Sequence, residues 1–182
     1  MDGKKEELRK HIRQDLGRGL KELAKKAGIS LSDIRKVIIS GNTTMGHLLM
    51  GYDCDSLGVF PFTPVNIDFI RGTAEEILGI EGTKAEVVLL PGISTYVGGD
   101  IVAGLYHCGF DKKERPCVFL DLGTNGEIAV GNRDRILSTA TAAGPAFEGG
   151  NVTFGVGSIH GAICSVTMES PDKVQVKTIG DQ

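Results

Sequence analysis

Residues 117–130 constrain the fold more than any other part of the chain, because they read as two strands joined by a tight turn. The apolar run 118–120 ends in a single carboxylate, Asp121, and residues 127–130 resume the strand pattern after a Gly-Thr-Asn-Gly turn. Asn-Gly between two strand-like runs predicts a hairpin with a type I′ turn. An acid at a strand end beside free amides can hold a phosphate with its metal ion. Alternatively, Asp and Thr simply cap the turn, and the local pattern leaves both interpretations open.

The order of elements changes along the chain near a charged linker at residues 111–115. Before the linker, helical and strand patterns alternate, which favours parallel β/α units. After it, strands follow one another through tight turns, which is typical of an antiparallel meander. The sequence therefore predicts β/α units over residues 1–112 and a meander over 113–182. The predicted helices are 4–27, 45–50 and 97–108, and the predicted strands are 37–39, 87–90, 117–122, 127–131, 135–141, 162–168 and 174–179.

A polar loop follows the first predicted strand, which is expected to be buried. Residues 40–44 are Ser-Gly-Asn-Thr-Thr, and Thr43 or Thr44 is the predicted N-cap of the next helix. A strand, a glycine-containing loop and a helix N-terminus form a common anion-facing arrangement, although capping alone is the commoner use. Thr73 and Glu76 form a predicted capping box at the start of a further short helix.

The composition excludes several classes of protein. Acids outnumber Lys and Arg and the net charge is −3, so a nucleic-acid footprint is not indicated. No apolar run approaches the ~20 residues of a membrane span. The four cysteines include no CxxC pair, so they form no zinc or iron–sulfur pattern. Reduced thiols in a cytoplasmic protein are the expectation.

Five motifs stand in a characteristic order. They are SGNTTMGHLLMG at 40–51, PFTP at 61–64, LPGISTYVGGDIVAG at 90–104, LDLGTNGEI at 120–128 and AAGPAFEGG at 142–150. With these motifs the chain resembles the C-terminal ATPase domain of the reductive activators of corrinoid proteins. That family is a branch of the superfamily of acetate and sugar kinases, heat-shock ATPases and actin. The resemblance covers nearly the whole chain from residue 37 onward.

The resemblance implies an α/β fold of the ribonuclease H-like, actin-like type, with a mixed sheet and flanking helices. Residues 1–112 would be the second half of one repeat and 113–182 the first half of the next. The implied function is ATP hydrolysis in an iron–sulfur protein that returns a Co(II) corrinoid to Co(I) for methyl transfer. The implied cofactors are ATP and Mg²⁺. The implied partner is a corrinoid protein or a corrinoid-dependent methyltransferase, with a homodimer left open and neither nucleic acid nor membrane involved.

The resemblance also implies site residues. Asp121 would bind the metal and act in catalysis, and Glu127 would orient water, unless it is a solvent-facing strand residue. Asp100 otherwise only complements a helix dipole. The residues expected to bind the cofactor are Asn42, Thr43, Thr44, Asp100, Gly123, Thr124, Asn125, Gly126, Gly144 and Glu148.

This sequence departs from the family pattern in three features. It lacks the ferredoxin-like domain that would carry the iron–sulfur cluster, the phosphate hairpin before the first helix, and the glycine-rich adenosine motif. We therefore expect a fragment that does not turn over ATP in isolation. Two alternatives stay open: an actin-like protein-binding module without nucleotide turnover, and a kinase-like phosphotransferase.

Overall fold

The computed structural model describes residues 2–123, 125–142, 153, 156–157, 159–170 and 173–180. The chain divides into two compact units, the first formed by Met1–Asp121 with Glu127–Ala140 and the second by Leu122–Gly126 with Thr141–Gln182. Within the described ranges, no helix is long and apolar enough to cross a membrane. The division of the chain into regions 1–112 and 113–182, which the sequence predicts, remains a prediction.

Helices and strands alternate in the first part of the chain, as the sequence predicts. The elements are α1 (Asp2–Ala27), β1 (Lys36–Ile39), α2 (Thr43–Met50), α3 (Asp55–Gly58), β2 (Ile70–Thr73), α4 (Ala74–Leu78), β3 (Glu86–Leu89) and α5 (Gly99–His107). The later elements are the strands β4 (Cys117–Leu122), β5 (Asn125–Gly131), β6 (Ile136–Ala142), β7 (Ile163–Ser170) and β8 (Lys173–Thr178). Short 3₁₀ helices lie between α1 and β1 (Leu31–Asp33) and between α5 and β4 (Phe110–Lys112).

The first sheet has the strand order β1-β3-β2. Strand β1 pairs with β3 in parallel, whereas β2, which the sequence analysis missed, pairs with β3 antiparallel. Glu86 on the central strand forms ion pairs with Lys36 at 2.9 Å and Arg71 at 2.7 Å, one on each neighbouring strand. The prediction that β1 is buried is wrong at Ile38, which is 62% exposed. Side chains alternate between the two faces of a strand, so Val37 and Ile39 pack on the core, whereas Ile38 lies on the opposite, exposed face.

Two apolar cores hold the described elements of the first unit together. The first joins α2, α4 and β3, with residues of α1 packed against it, and its buried members are Leu49, Ala74, Ile77, Leu78, Ile80, Ala85 and Val87. The second joins α5 to β5, and its buried members are Val97, Ile101, Leu105, Phe110 and Ala129. Phe119 of β4 packs against this second core and lies over Gly104, where an added Cβ would be 2.7 Å from the ring.

The second sheet has the strand order β4-β5-β6, so consecutive strands are neighbours, as expected for the predicted meander. The predicted Asn-Gly turn is wrong, because Asn125 and Gly126 are the first residues of β5. The Gly123 amide donates to the Asn125 carbonyl oxygen at 2.9 Å, so Asn125 takes part in backbone pairing with Gly123. Strand pairing is made by backbone groups, so it extends beyond the apolar residues that mark a strand in the sequence.

The second unit contains the antiparallel pair β7 and β8. Cross-strand neighbours include Val166 with Val176 and Met168 with Val174, which gives this ribbon one apolar face. Both strands agree with the predicted ranges 162–168 and 174–179 to within two residues. Residues 143–150, which make up most of the AAGPAFEGG motif, lie outside the described residues.

Candidate functional site

The loop after β1 lies against the N-terminus of α5. The Ser40 hydroxyl donates to the Gly99 carbonyl oxygen at 2.9 Å, and the Asp100 amide donates to the Gly41 carbonyl oxygen at 3.3 Å. A Cβ at residue 98 would lie 2.6 Å from the Asn42 Cα, so only glycine allows this close approach. The polar loop and the Gly-Gly-Asp sequence, 50 and more residues apart in the chain, are therefore brought together.

The three candidate residues of this loop have different environments. Asn42 is the N-cap of α2, because its Oδ1 accepts from the Met45 amide at 2.9 Å, so the prediction of Thr43 or Thr44 as the cap is wrong. Thr43 is buried and its hydroxyl donates to the Ser94 carbonyl oxygen at 2.8 Å. Thr44 is exposed. Thr43 therefore connects this loop to residues 92–97.

Three carboxylates share one region of the first unit. Asp121 lies two residues beyond Phe119, and Glu127 lies two residues before Ala129, both of which face the α5 core. Because side chains alternate along a strand, both carboxylates are on the α5 side of the sheet. Burial raises the pKa of the Glu127 carboxyl, and the charges of Asp121 and Asp100 raise it further. Asp100, in the first turn of α5, is therefore within electrostatic range of Glu127.

These carboxylates could contribute ligands to Mg²⁺ without forming a complete metal site by themselves. Among the residues that the structure describes, no three or more His, Cys, Asp or Glu side chains are close enough to hold a metal ion together. Mg²⁺ is usually held by one or two carboxylates and completed by waters and phosphate oxygens. A cation would also offset the charges of Asp121 and Asp100, which add to burial in raising the Glu127 pKa.

The turn after Asp121 is partly described. The Gly123 amide is already paired within the turn, so it is not free to donate to a ligand in this conformation. Asn125 and Gly126 begin β5, with Asn125 exposed and Gly126 buried. Thr124, Gly144 and Glu148 lie outside the described residues.

Sequence reasoning missed the residues that hold the site loops in place. His47 is 2% exposed, its Nδ1 donates to the Thr43 carbonyl oxygen, and its Nε2 accepts from the Val65 amide, both at 2.9 Å. It therefore connects α2 to the segment after the PFTP motif. The available signals were a histidine within a short apolar helix and a glycine pair directly before Asp100.

Comparison with known proteins identifies the family. A family model described as the RACo middle region matches residues 1–113, which is more than half of the chain. A second, described as the C-terminal domain of RACo, the ASKHA domain, matches residues 115–182. The chain belongs to the RACo family. The predicted resemblance to reductive activators of corrinoid proteins and the predicted actin-like α/β fold are thereby confirmed.

Individual relatives agree with this assignment. The corrinoid activation enzyme RamQ of Eubacterium limosum is 37% identical over 93% of this chain. The [Co(II) methylated amine-specific corrinoid protein] reductase of Methanosarcina barkeri is 36% identical over 78% of it. A solved structure, a reductive activator for corrinoid, iron-sulfur protein, matches 97% of the chain with a TM-score of 0.72 and 34% identity. In each case the chain spans 28% of the length of the protein it matches.

Proposed function

We propose that this chain is part of the ATP-hydrolysing region of a protein that reductively reactivates a corrinoid protein, from Co(II) to Co(I). Support comes from the family and from relatives whose names describe corrinoid activation and Co(II) corrinoid protein reduction. The partner in this proposal is a corrinoid protein. Four free cysteines support a reducing, cytoplasmic location.

The observation that carries the proposal is that Asp121 and Glu127 lie on the α5 side of the sheet, with Asp100 of the first turn of α5 within electrostatic range of Glu127. In this proposal Asp121 and Asp100 would hold Mg²⁺ through carboxylate oxygens or bound water, and the ion would supply positive charge to offset that of the ATP phosphates. Glu127 orients the attacking water. In the loop after β1, Thr44 would offer its hydroxyl to the ligand, whereas Asn42 and Thr43 stabilise the loop through their own hydrogen bonds.

The remaining predicted residues form a second part of the proposal. Thr124, Asn125 and Gly126 would contact the phosphates after Asp121, and Gly144 and Glu148 would act in the AAGPAFEGG motif. These roles rest on the resemblance of the motifs. The iron–sulfur cluster of the proposed activity would belong to another domain of the longer protein.

The decisive experiment uses Asp121→Asn in the full-length protein. ATP hydrolysis is expected to fall by at least ~10²-fold, because a charge that stabilises the transition state is removed. The free energy of unfolding is expected to change by less than ~1 kcal/mol, because Asp121 is exposed. Thr124→Val is expected to reduce ATP hydrolysis less than Asp121→Asn does, since it removes one neutral hydrogen bond of about 1 kcal/mol. Co(II)-to-Co(I) conversion, followed by visible absorption, should fall with hydrolysis.

Asp111→Asn is the matched control, since Asp111 is an exposed acid of the same unit outside the carboxylate group. The proposal fails if Asp121→Asn is badly destabilised yet hydrolyses ATP normally per folded molecule. Partner binding without any nucleotide hydrolysis by the wild type would instead favour a protein-binding module. Phosphate transfer to a small acceptor would favour the kinase-like alternative.

A further inference from the structure

The first turn of α5 is packed unusually closely on its neighbours. Gly98 and Gly99 open this helix, and both are buried. A Cβ at residue 98 would lie 2.7 Å from the Gly41 carbonyl oxygen, and a Cβ at residue 99 would lie 2.9 Å from the Leu90 carbonyl oxygen. Real side chains essentially never approach so closely, so the two glycines are required for space.

A glycine pair leaves the backbone free to adopt many conformations, so other contacts have to fix it. Two hydrogen bonds cross from the end of β1 to this turn, one from the Ser40 hydroxyl to the Gly99 carbonyl oxygen and one from the Asp100 amide to the Gly41 carbonyl oxygen. The Asp100 carboxylate itself accepts from the Ile101 amide at 2.9 Å. The side chain of Ser40 is therefore the polar group that ties this backbone to the sheet.

We propose that Ser40 is a positioning residue for Asp100, fixing the first turn of α5 against the end of β1 in the space left by Gly98 and Gly99. This inference rests on the proposed function, because it gives Asp100 its place beside the magnesium–phosphate complex. Ser40 touches neither the metal nor the phosphates in this account. It acts through the backbone of residues 98–100.

The test compares Ser40→Ala with Ser40→Thr in the full-length protein. Thr keeps the hydroxyl, and because Ser40 is exposed its extra methyl group has room. Gly98→Ala disturbs the same contact by steric conflict. Gly19→Ala is the control, since nothing lies within 4 Å of a Cβ at that position. Circular dichroism and the thermal midpoint establish that each variant is folded.

Two measurements do not depend on turnover. The first is hydrogen exchange of the Asp100 amide, which Ser40→Ala is expected to accelerate about 5-fold, the factor that corresponds to one neutral hydrogen bond. The second is the affinity for Mn²⁺ in the presence of ATP, followed by electron paramagnetic resonance, which should weaken by a similar factor. Gly98→Ala is expected to weaken the affinity for Mn²⁺ by roughly tenfold or more, since small displacements of a functional group are costly. Ser40→Thr and Gly19→Ala should behave as the wild type does.

Several results would overturn the inference. One is unchanged amide exchange in Ser40→Ala. Another is faster exchange with unaltered Mn²⁺ affinity, which would show that the contact does not position a ligand group. Equal loss in Ser40→Ala and Ser40→Thr would show that the hydroxyl is not responsible. If the wild type neither binds Mn²⁺–ATP nor hydrolyses ATP, the proposed function itself fails, whereas the exchange data still decide whether Ser40 holds the turn.

Discussion

At the scale of single residues, Glu127 shows how a residue of the candidate site affects the stability of the fold. Its carboxyl is half-buried on the α5 side of the sheet, and burial, followed by the charges of Asp121 and Asp100, raises its pKa. A raised pKa means that the folded chain holds this proton more tightly than the unfolded chain does. The ionised carboxylate therefore lowers the stability of the fold.

Glu127→Gln is accordingly expected to raise the thermal midpoint at pH 7 by a few degrees. The destabilising effect of the carboxylate develops as pH rises from the ordinary glutamate value of 4.5 through the higher folded value, and it is complete above that. The advantage of the variant should therefore disappear at about pH 3.5, where the carboxyl is protonated in both states. Thermal melts of wild type and variant across this range provide the measurement. The exposed Glu81→Gln is the control, and an equal shift there would contradict the explanation.

His47 is the second residue whose environment leads to a prediction. Both of its ring nitrogens are paired inside the protein, to the Thr43 carbonyl oxygen and the Val65 amide. In His47→Leu both backbone groups lose their partner, and each is expected to cost about 1–3 kcal/mol. Urea denaturation measures the loss. His11→Leu, at an exposed position of α1, should change the free energy of unfolding by less than ~0.5 kcal/mol. Equal effects would refute a specific role for His47.

At the scale of elements, the short helix α4 depends on its N-terminal cap. Glu76 Oε2 accepts from the Thr73 amide at 2.8 Å, and the Thr73 hydroxyl accepts from the Glu76 amide at 3.2 Å. The Thr73 hydroxyl also donates to Glu76 Oε2 at 3.0 Å, and the two hydrogen bonds to this carboxylate, the one from the Thr73 amide first, lower the pKa of Glu76. The five-residue helix places Ala74, Ile77 and Leu78 in the core, so the cap supports a core element.

Thr73→Ala is expected to lower the free energy of unfolding by ~1 kcal/mol at pH 7. Because the Glu76 pKa is lowered in the folded state, its contribution is present above the ordinary glutamate range and is lost as pH falls through the folded value. The gap between wild type and variant should thus narrow on acidification. Chemical denaturation at pH 7 and pH 3 gives the comparison. A gap that is constant with pH would show that the box does not depend on the Glu76 charge.

At the scale of the whole chain, one face of the β4-β5-β6 sheet is left open within the described residues. Phe119 and Ala129 face the α5 core, whereas Val118 on the opposite face is 63% exposed, Leu120 57% and Leu137 59%. Contiguous apolar surface of this kind promotes association.

The double variant Val118→Thr, Leu120→Thr is therefore expected to make the 182-residue chain more soluble and less able to bind a hydrophobic dye. Threonine is β-branched and suits a strand, and both positions are exposed, so the free energy of unfolding should change by less than ~1 kcal/mol. Phe119→Thr, on the covered face of the same strand, should cost about 3 kcal/mol or more. Light scattering, dye fluorescence and denaturation distinguish the two faces. A comparable loss of stability in both variants would show that the open face is part of the core.

The sequence alone predicted many of the helices and strands, because their patterns depend on interactions between residues that are close in the chain. The apolar period placed α1, Gly28 with φ of +69° ends it, and Thr73 with Glu76 marked a real capping box. Turn and edge effects were harder to predict. Asn42 took the capping role expected of Thr43 or Thr44, and β5 begins at Asn125 instead of residue 127, since backbone pairing decides where a strand begins.

The sequence by itself determined most of the order of the elements, with α3 and β2 missed, and the five motifs and, through them, the family. Only the tertiary structure decided what each candidate residue contacts. It buried Thr43 against Ser94, left Thr44 exposed, and placed Asp100 within electrostatic range of Glu127. The physical reason is that these contacts join residues far apart in the chain, whose approach depends on the packing of α5 and on space left by two glycines. Neither the packing of α5 nor the space beside these glycines can be predicted from a local pattern of residues.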